Sequence, residues 1–177
     1  MRIKVPLKMK RLTNEEFDIL INKYYNMLFA IAYKYTRDTF SSEDAVQETF
    51  LKLYRTNKEF ESDEHTKNWL VRVIINESIN VLKRNKKILL IDQEHINNLP
   101  DTSDADRKNE EIWHCVCKLK ESYKTIIILY YYENYNLQEI ASILKITETN
   151  ASSRLDRARK KLKQIVNGEK NDWWKIR

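Results

Sequence analysis

The sequence predicts an all-α protein: two small helical domains joined by a flexible acidic linker, the C-terminal one containing a helix-turn-helix. Three observations carry this reading. The 177 residues include one Gly and two Pro, too few for the turns of a strand-rich fold. Apolar residues recur at spacings of three and four along most of the chain, the period of an amphipathic helix. Charge is divided unevenly, net +4 over residues 1–10, +1 over 11–88, −5 over 89–111 and +6 over 112–177. The acidic middle holds Asn97, Asn98, Pro100 and the polar run from Asp101 to Asp104. A structureless stretch of that length is uncommon inside one compact domain. The domains are therefore expected at 11–88 and 107–167, with a linker at 89–106.

Each element follows from local signals. Thr13 and Glu16 form a capping box. Phe17, Leu20, Ile21, Tyr24, Leu28, Ile31 and Tyr35 then keep helical spacing to about residue 35. Ser41 and Ser42 are candidate caps of a second helix reaching Tyr54, with Ala45, Val46, Thr49, Phe50 and Leu53 as its inner stripe. Asp44, Gln47, Glu48 and Leu51 fall toward another face, which by itself reads as a solvated surface or a partner surface. A third helix spans roughly Thr66 to Lys87, with Trp69, Leu70, Val73, Ile74, Ile79 and Leu82 as core positions. Its tail runs Lys83-Arg84-Asn85-Lys86-Lys87, able to satisfy helix-end carbonyls or to neutralise phosphates. Asn76 and Asn80, four apart, share a face of this helix.

In the second half, a helix beginning near Asp104 to Arg107 carries Ile112, Val116 and Leu119. The next, from about Ser122, is apolar on more than one face through Ile126, Ile127, Leu129, Tyr130 and Tyr131, so it is expected between neighbours. Asn136 caps a short helix, Leu137–Leu144, with Glu139 completing the box. Lys145-Ile146-Thr147 makes a tight connection to a last helix from about Glu148 to Val166, which buries Ala151, Leu155, Ala158, Leu162 and Ile165. A short helix, a tight turn and a basic helix make a helix-turn-helix. Residues 147–163 hold six Lys/Arg against two acids. Thr149, Asn150, Ser152, Ser153, Asp156 and Arg157 are hydrogen-bonding groups where a recognition helix meets base edges. Arg154, Arg159 and Lys160 are placed for phosphates, which position without specifying. DNA binding follows from the agreement of turn, cap and charge.

Composition also excludes function classes. Phosphate-cradling loops and dinucleotide fingerprints need several glycines, and the sole glycine is Gly168. No run of about 18 apolar residues exists, so no membrane insertion is expected. The basic N-terminus lacks the apolar stretch of a signal peptide. Cys115 and Cys117 are too close to staple a fold, as in a cytoplasmic chain with reduced thiols. His114-Cys115-Val116-Cys117 has metal-ligand residue types. A structural zinc site needs about four ligands, and positions two apart on a helix do not face each other. No metal and no cofactor are expected.

Three of these segments, in series, resemble the extracytoplasmic-function sigma factors of bacterial RNA polymerase, in the sigma-70 superfamily. Asp44-Ala-Val-Gln-Glu-Thr-Phe-Leu-Lys-Leu-Tyr54 looks like the core-binding part of their region 2. Trp69-Leu-Val-Arg-Val-Ile-Ile-Asn76, running on to Lys83-Arg84, resembles their −10 recognition helix. Tyr135-Asn-Leu-Gln-Glu-Ile-Ala-Ser-Ile-Leu144 with Ser153-Arg-Leu-Asp-Arg-Ala-Arg-Lys-Lys-Leu162 is similar to the −35 helix-turn-helix of region 4. The likeness covers about residues 15–88 and 107–166.

The resemblance implies a promoter-specificity subunit, not an enzyme. Residues 11–88 would be region 2 and 107–167 region 4. Asp44, Gln47, Glu48 and Leu51 would contact the β′ clamp helices, with the β subunit a further contact of the core enzyme. Lys52, Thr56, Asn76 and Asn80, with the Phe60 to Lys67 loop as part of the wall, would read a base extruded from the single-stranded −10 element, and Lys83 and Arg84 would support that DNA. Thr149, Asn150, Ser152, Ser153, Arg154, Asp156, Arg157, Arg159 and Lys160 would bind the −35 duplex. An anti-sigma factor, which often holds members of this family inactive, is an implied partner. One departure stands out: the turn position usually held by a small Gly is Lys145. The competing reading is a free-standing helix-turn-helix regulator that acts without being a polymerase subunit. It gives the second-helix face and the −10 motif no task.

Overall fold

Thr13 starts the first helix as expected. Its Oγ1 accepts from the Glu16 N–H at 3.2 Å, and the Glu16 carboxylate accepts from the Thr13 N–H at 2.9 Å. The computed structural model describes residues 13–56, 60–89 and 112–172. Among these, every regular element is a helix, and the chain divides into two compact units, residues 1–93 and 94–177.

The first unit packs α1 (Asn14–Thr36), α2 (Thr39–Arg55) and α3 (Asp63–Leu89) against one another. Tyr24, Leu28, Ile31, Ala32 and Tyr35 of α1 meet Ala45, Val46, Phe50 and Leu53 of α2 and Leu70, Val71, Ile74, Ile75 and Val81 of α3 in its core. Two starts differ from the sequence reading. α1 ends on Arg37 in the left-handed conformation (φ 54°), and Asp38, not Ser41 or Ser42, caps α2. Ser41 holds the Asp38 carboxyl below the usual carboxylate range, through its side chain first and then through its N–H, which donates to Asp38 Oδ2 at 2.7 Å. Both serines are buried, and Asn85 Nδ2 donates to Ser41 Oγ at 3.0 Å, tying the end of α3 to the start of α2. α3 in turn begins at Asp63 and not Thr66. Ser62 Oγ accepts from the His65 N–H at 3.1 Å, and Lys23 and Tyr24 both donate to Asp63 Oδ1. The expected Phe60 to Lys67 loop is thus helical from residue 63 onward. The buried stripe of α3 is also rotated. Val71, Ile75, Ser78 and Val81 are buried, while Trp69, Val73, Ile79 and Leu82 are half-buried. A helix wedged between two neighbours buries a wider arc than apolar spacing alone reveals. α3 runs to Leu89, the first residue of the expected linker, whose remainder lies outside the described residues.

The second unit holds α4 (described over residues 112–117), α5 (Glu121–Ile127), α6 (Leu137–Leu144) and α7 (Glu148–Asp172). The expected start of α4 near 104–107 lies outside the described residues. Ile112, expected in the core, is exposed, and its neighbour Trp113 is buried beside Tyr132 in an edge contact of 5.3 Å. α5 continues as a π-helical turn, Ile128–Tyr132, closed by the Glu133 N–H on the Ile128 carbonyl at 3.0 Å. The wider turn resets the helical register. Ile126 to Leu129 are all buried, Tyr130 and Tyr131 turn toward Arg159 of α7, and Tyr132 meets Trp113 of α4. Tyr135, buried, has its phenol pushed up to about 12 by desolvation, with Glu133 and Glu139 adding to it.

α6 and α7 begin where the caps place them. Asn136 and Glu139 form a reciprocal box at 2.8 and 2.9 Å, and Thr147 Oγ1 accepts from the Asn150 N–H at 3.2 Å. Lys145 turns the chain between them at φ 54°, ψ 50°. A left-handed residue with a Cβ costs about 1–2 kcal/mol. Buried Ile140, Ala141 and Ile143 of α6 and Ala151, Leu155 and Ala158 of α7 hold the turn against that cost.

Candidate nucleic-acid interface

α7 presents its polar residues in two flanks, because about 100° separates successive residues on a helix. Ala151, Leu155 and Ala158 define the buried side. Asn150, Arg154 and Arg157 lie on one shoulder, with Thr149 and Ser153 beside them. These five line an open concave surface with Lys120, Ser122 and Tyr123 from the start of α5 and Thr147 from the turn. The surface holds three basic side chains and no carboxylate. Lys120, Ser122 and Tyr123 lie on this surface but are absent from the residues expected from the sequence. They come from a different helix about 30 residues earlier in the chain, so only the fold brings them to this face.

Ser152, Asp156 and Arg159 occupy the opposite shoulder. Arg159 Nε donates to the Tyr131 hydroxyl at 2.8 Å, and its guanidinium lies 5.3 and 5.6 Å from the ring centres of Tyr130 and Tyr131. These contacts keep its proton more firmly than usual, the Tyr131 hydrogen bond first. Asp156 Oδ1 accepts from Arg159 at 3.4 Å. The one carboxylate among the expected −35 residues is therefore charge-paired on its own helix. Lys160 is exposed between the flanks.

In the first unit, the second and third helices bring a different set together. Glu77 accepts from Lys52 Nζ at 2.5 Å and from Asn80 Nδ2 at 3.4 Å. Lys52 and Asn80, on different helices, thereby share one carboxylate oxygen. Thr56 is the C-cap of α2, one turn beyond Lys52. Asn76 is exposed one turn before Asn80, and Lys83 and Arg84 are exposed further along. Phe60 packs edge-on against Trp69 at 5.5 Å and His65 at 5.7 Å, an aromatic wall at the start of α3. Glu77 is absent from the sequence-predicted set. Only its pairing with Lys52, from another helix, explains its burial.

On α2, Asp44, Gln47 and Leu51 are exposed and Glu48 is half-buried. Phe40, 79% exposed, extends this stripe by one turn. Sequence reasoning misses it because it starts the helix at Ser41 or Ser42. Cys115 is buried and Cys117 exposed, on opposite sides of α4, and among the described residues no group of three His, Cys, Asp or Glu could hold a metal ion. No described helix is long and apolar enough to cross a membrane.

Comparison with known proteins agrees with this layout. The family model for sigma-70 region 2 matches residues 20–88, and that for sigma-70 region 4 matches residues 109–162. RNA polymerase sigma factor SigV of Bacillus subtilis is 28% identical over 154 residues, covering 87% of this chain and 93% of its own. ECF RNA polymerase sigma factor SigM of the same organism is 28% identical over 160 residues, covering 88% and 98%. Among solved structures, the fold is similar to CnrH in complex with the cytosolic domain of CnrY (TM-score 0.63, 18% identity, 88% of this chain and 90% of that one). It is also similar to the sigma factor RpoE of Bartonella quintana in complex with the anti-sigma factor NepR (TM-score 0.61, 21% identity, 86% and 98%). With both sigma-70 regions in order along nearly the whole length of its relatives, the chain belongs to the extracytoplasmic-function sigma factors of the sigma-70 family and is an RNA polymerase sigma factor.

Proposed function

We propose that three surfaces of this chain divide the work of promoter recognition. The α2 stripe of Asp44, Gln47, Glu48 and Leu51 docks on the β′ clamp helices of core RNA polymerase, with the β subunit a further contact of the assembled enzyme. Lys52, Thr56, Asn76 and Asn80 read a base freed from the −10 strand, and Lys83 and Arg84 follow its backbone. The concave face of α7 reads the −35 duplex, with Thr149, Asn150, Ser153 and Arg157 toward base edges and Arg154 and Lys160 toward phosphates. Ser152, Asp156 and Arg159 edge this contact, Asp156 paired with Arg159 and Arg159 held in turn by Tyr131. The work is done in the cytoplasm, and an anti-sigma factor is the expected antagonist.

The observation that carries the −10 reading is the convergence of Lys52 and Asn80 on one buried carboxylate beside an exposed Asn76. Hydrogen-bonding groups held still at a helix pair can recover the few kcal/mol that unstacking a base costs. Asn76→Ala tests it. The variant is expected to form closed complexes with near wild-type affinity, because the −35 contact lies in the other unit. Opening is expected to fall by about tenfold, read as permanganate reactivity of −10 thymines in the holoenzyme complex. Wild-type reactivity in Asn76→Ala would remove Asn76 from the pocket.

A further inference from the structure

Glu77 is the only buried carboxylate among the described residues, 6% exposed. It accepts from both Lys52 and Asn80 through the same oxygen, Oε1. That arrangement constrains what the two donors can offer a third party. A carboxylate has only lone pairs to give, so Asn80 can turn only its NH2 group toward it. The amide oxygen of Asn80 is then turned away from Glu77 as its acceptor for a ligand, with the second N–H of the same amide left over. Lys52, with one of its three N–H donors engaged, keeps two donors and its charge for the same ligand. The pocket therefore presents an acceptor from α3 next to donors from α2, in a fixed order.

We propose that Glu77 is a positioning residue that sets this donor–acceptor order, and that the order selects a freed base with its amino group at C6 or C4, adenine or cytosine, over guanine and thymine, which carry a keto oxygen there. The proposal rests on the reading of Lys52 and Asn80 as −10 base contacts. Adenine and cytosine place an amino donor beside an unprotonated ring nitrogen on the Watson–Crick edge. The amine meets the Asn80 oxygen, and the ring nitrogen meets the Lys52 ammonium. Seated in the same register, guanine or thymine puts its C6 or C4 carbonyl oxygen against the Asn80 oxygen and a ring N–H against the ammonium, so both contacts oppose. Glu77 touches no base in this scheme. Its part is to stop Asn80 from flipping and Lys52 from wandering.

Glu77→Gln separates this role from a merely structural one. A glutamine fills the same space but can donate as well as accept, so Asn80 is free to present either end of its amide. The experiment is transcription by core polymerase with the full chain from promoters randomised across the −10 element, read by sequencing the transcripts. The wild-type protein is expected to favour adenine or cytosine over guanine and thymine by about tenfold or more at one position. Glu77→Gln is expected to bring that ratio to within about threefold of unity, with −35 preference unchanged. Asn80→Ala is expected to flatten the same position. If Asn80→Ala flattens it and Glu77→Gln keeps the wild-type ratio, the role of Glu77 is overturned while the pocket stands. If Glu77→Gln lowers the melting temperature and transcript yield with the ratio intact, Glu77 is structural and the proposal is equally overturned. If Asn80→Ala leaves every position unchanged, the pocket reading fails and this inference with it. A wild-type preference for guanine or thymine at the position that Asn80 controls contradicts the donor–acceptor order directly.

Discussion

Alanine at both Gln47 and Glu48 is expected to weaken binding to core RNA polymerase by about tenfold or more, the usual weight of central interface side chains. Gln47 is exposed and Glu48 half-buried on α2, while Ala45, Val46, Thr49 and Phe50 of the same turns fill the core. The double substitution therefore removes surface groups without opening a cavity, and thermal stability should change little. Leu51, 41% exposed, continues the same stripe. An exposed leucine between hydrogen-bonding residues is the composition expected of a contact centre ringed by polar groups. A fluorescence titration of labelled protein with core polymerase checks this. Wild-type affinity in the double variant would return the α2 face to plain solvated surface.

The second large effect lies in the other unit. Reversing charge at Arg154 and Arg157 together is expected to lower affinity of the holoenzyme for −35 duplex by about a hundredfold or more at moderate salt. Both guanidinium groups line the concave face with Lys120. Neutral substitution of the same pair should also flatten the salt dependence, by about one unit of log–log slope for each phosphate that is no longer neutralised. Asp156 and Arg159 sharpen the comparison. Arg159 is anchored on Tyr130 and Tyr131 and paired with Asp156, so reversing it disturbs packing as well as charge. A salt slope unchanged by neutral Arg154 and Arg157 would place the duplex elsewhere.

The parts of this fold legible in the sequence are those set by neighbours along the chain. The capping boxes at Thr13 and Asn136 and the Thr147 cap act within three residues, and they fix the starts of α1, α6 and α7. The helix-turn-helix is readable for that reason, down to the non-glycine turn at Lys145. Where several candidates stand close together, local chemistry does not choose. Asp38 caps α2 and both serines lie inside, Ser41 accepting from Asn85 and Ser42 bonded to the Thr36 hydroxyl and the Asp38 carbonyl. That choice also hides Phe40 from the α2 stripe. Trp113 and not Ile112 is buried because Tyr132 stands against it, and Tyr132 is there only after the π-helical turn. Glu77 is invisible for the same kind of reason: a glutamate on an apolar helix says little until a lysine from another helix reaches it.

The sigma-70 region 2 match also weighs against a free-standing regulator. Such a protein has no use for a region 2 fold. Run-off transcription from a pool of promoter fragments, with core RNA polymerase present and this protein added or withheld, tests the central claim most directly. The account predicts transcripts only when the protein is present, with shared sequence at both −35 and −10 upstream of their starts. Tight binding of the protein to duplex fragments without polymerase, together with no protein-dependent transcript, would contradict it.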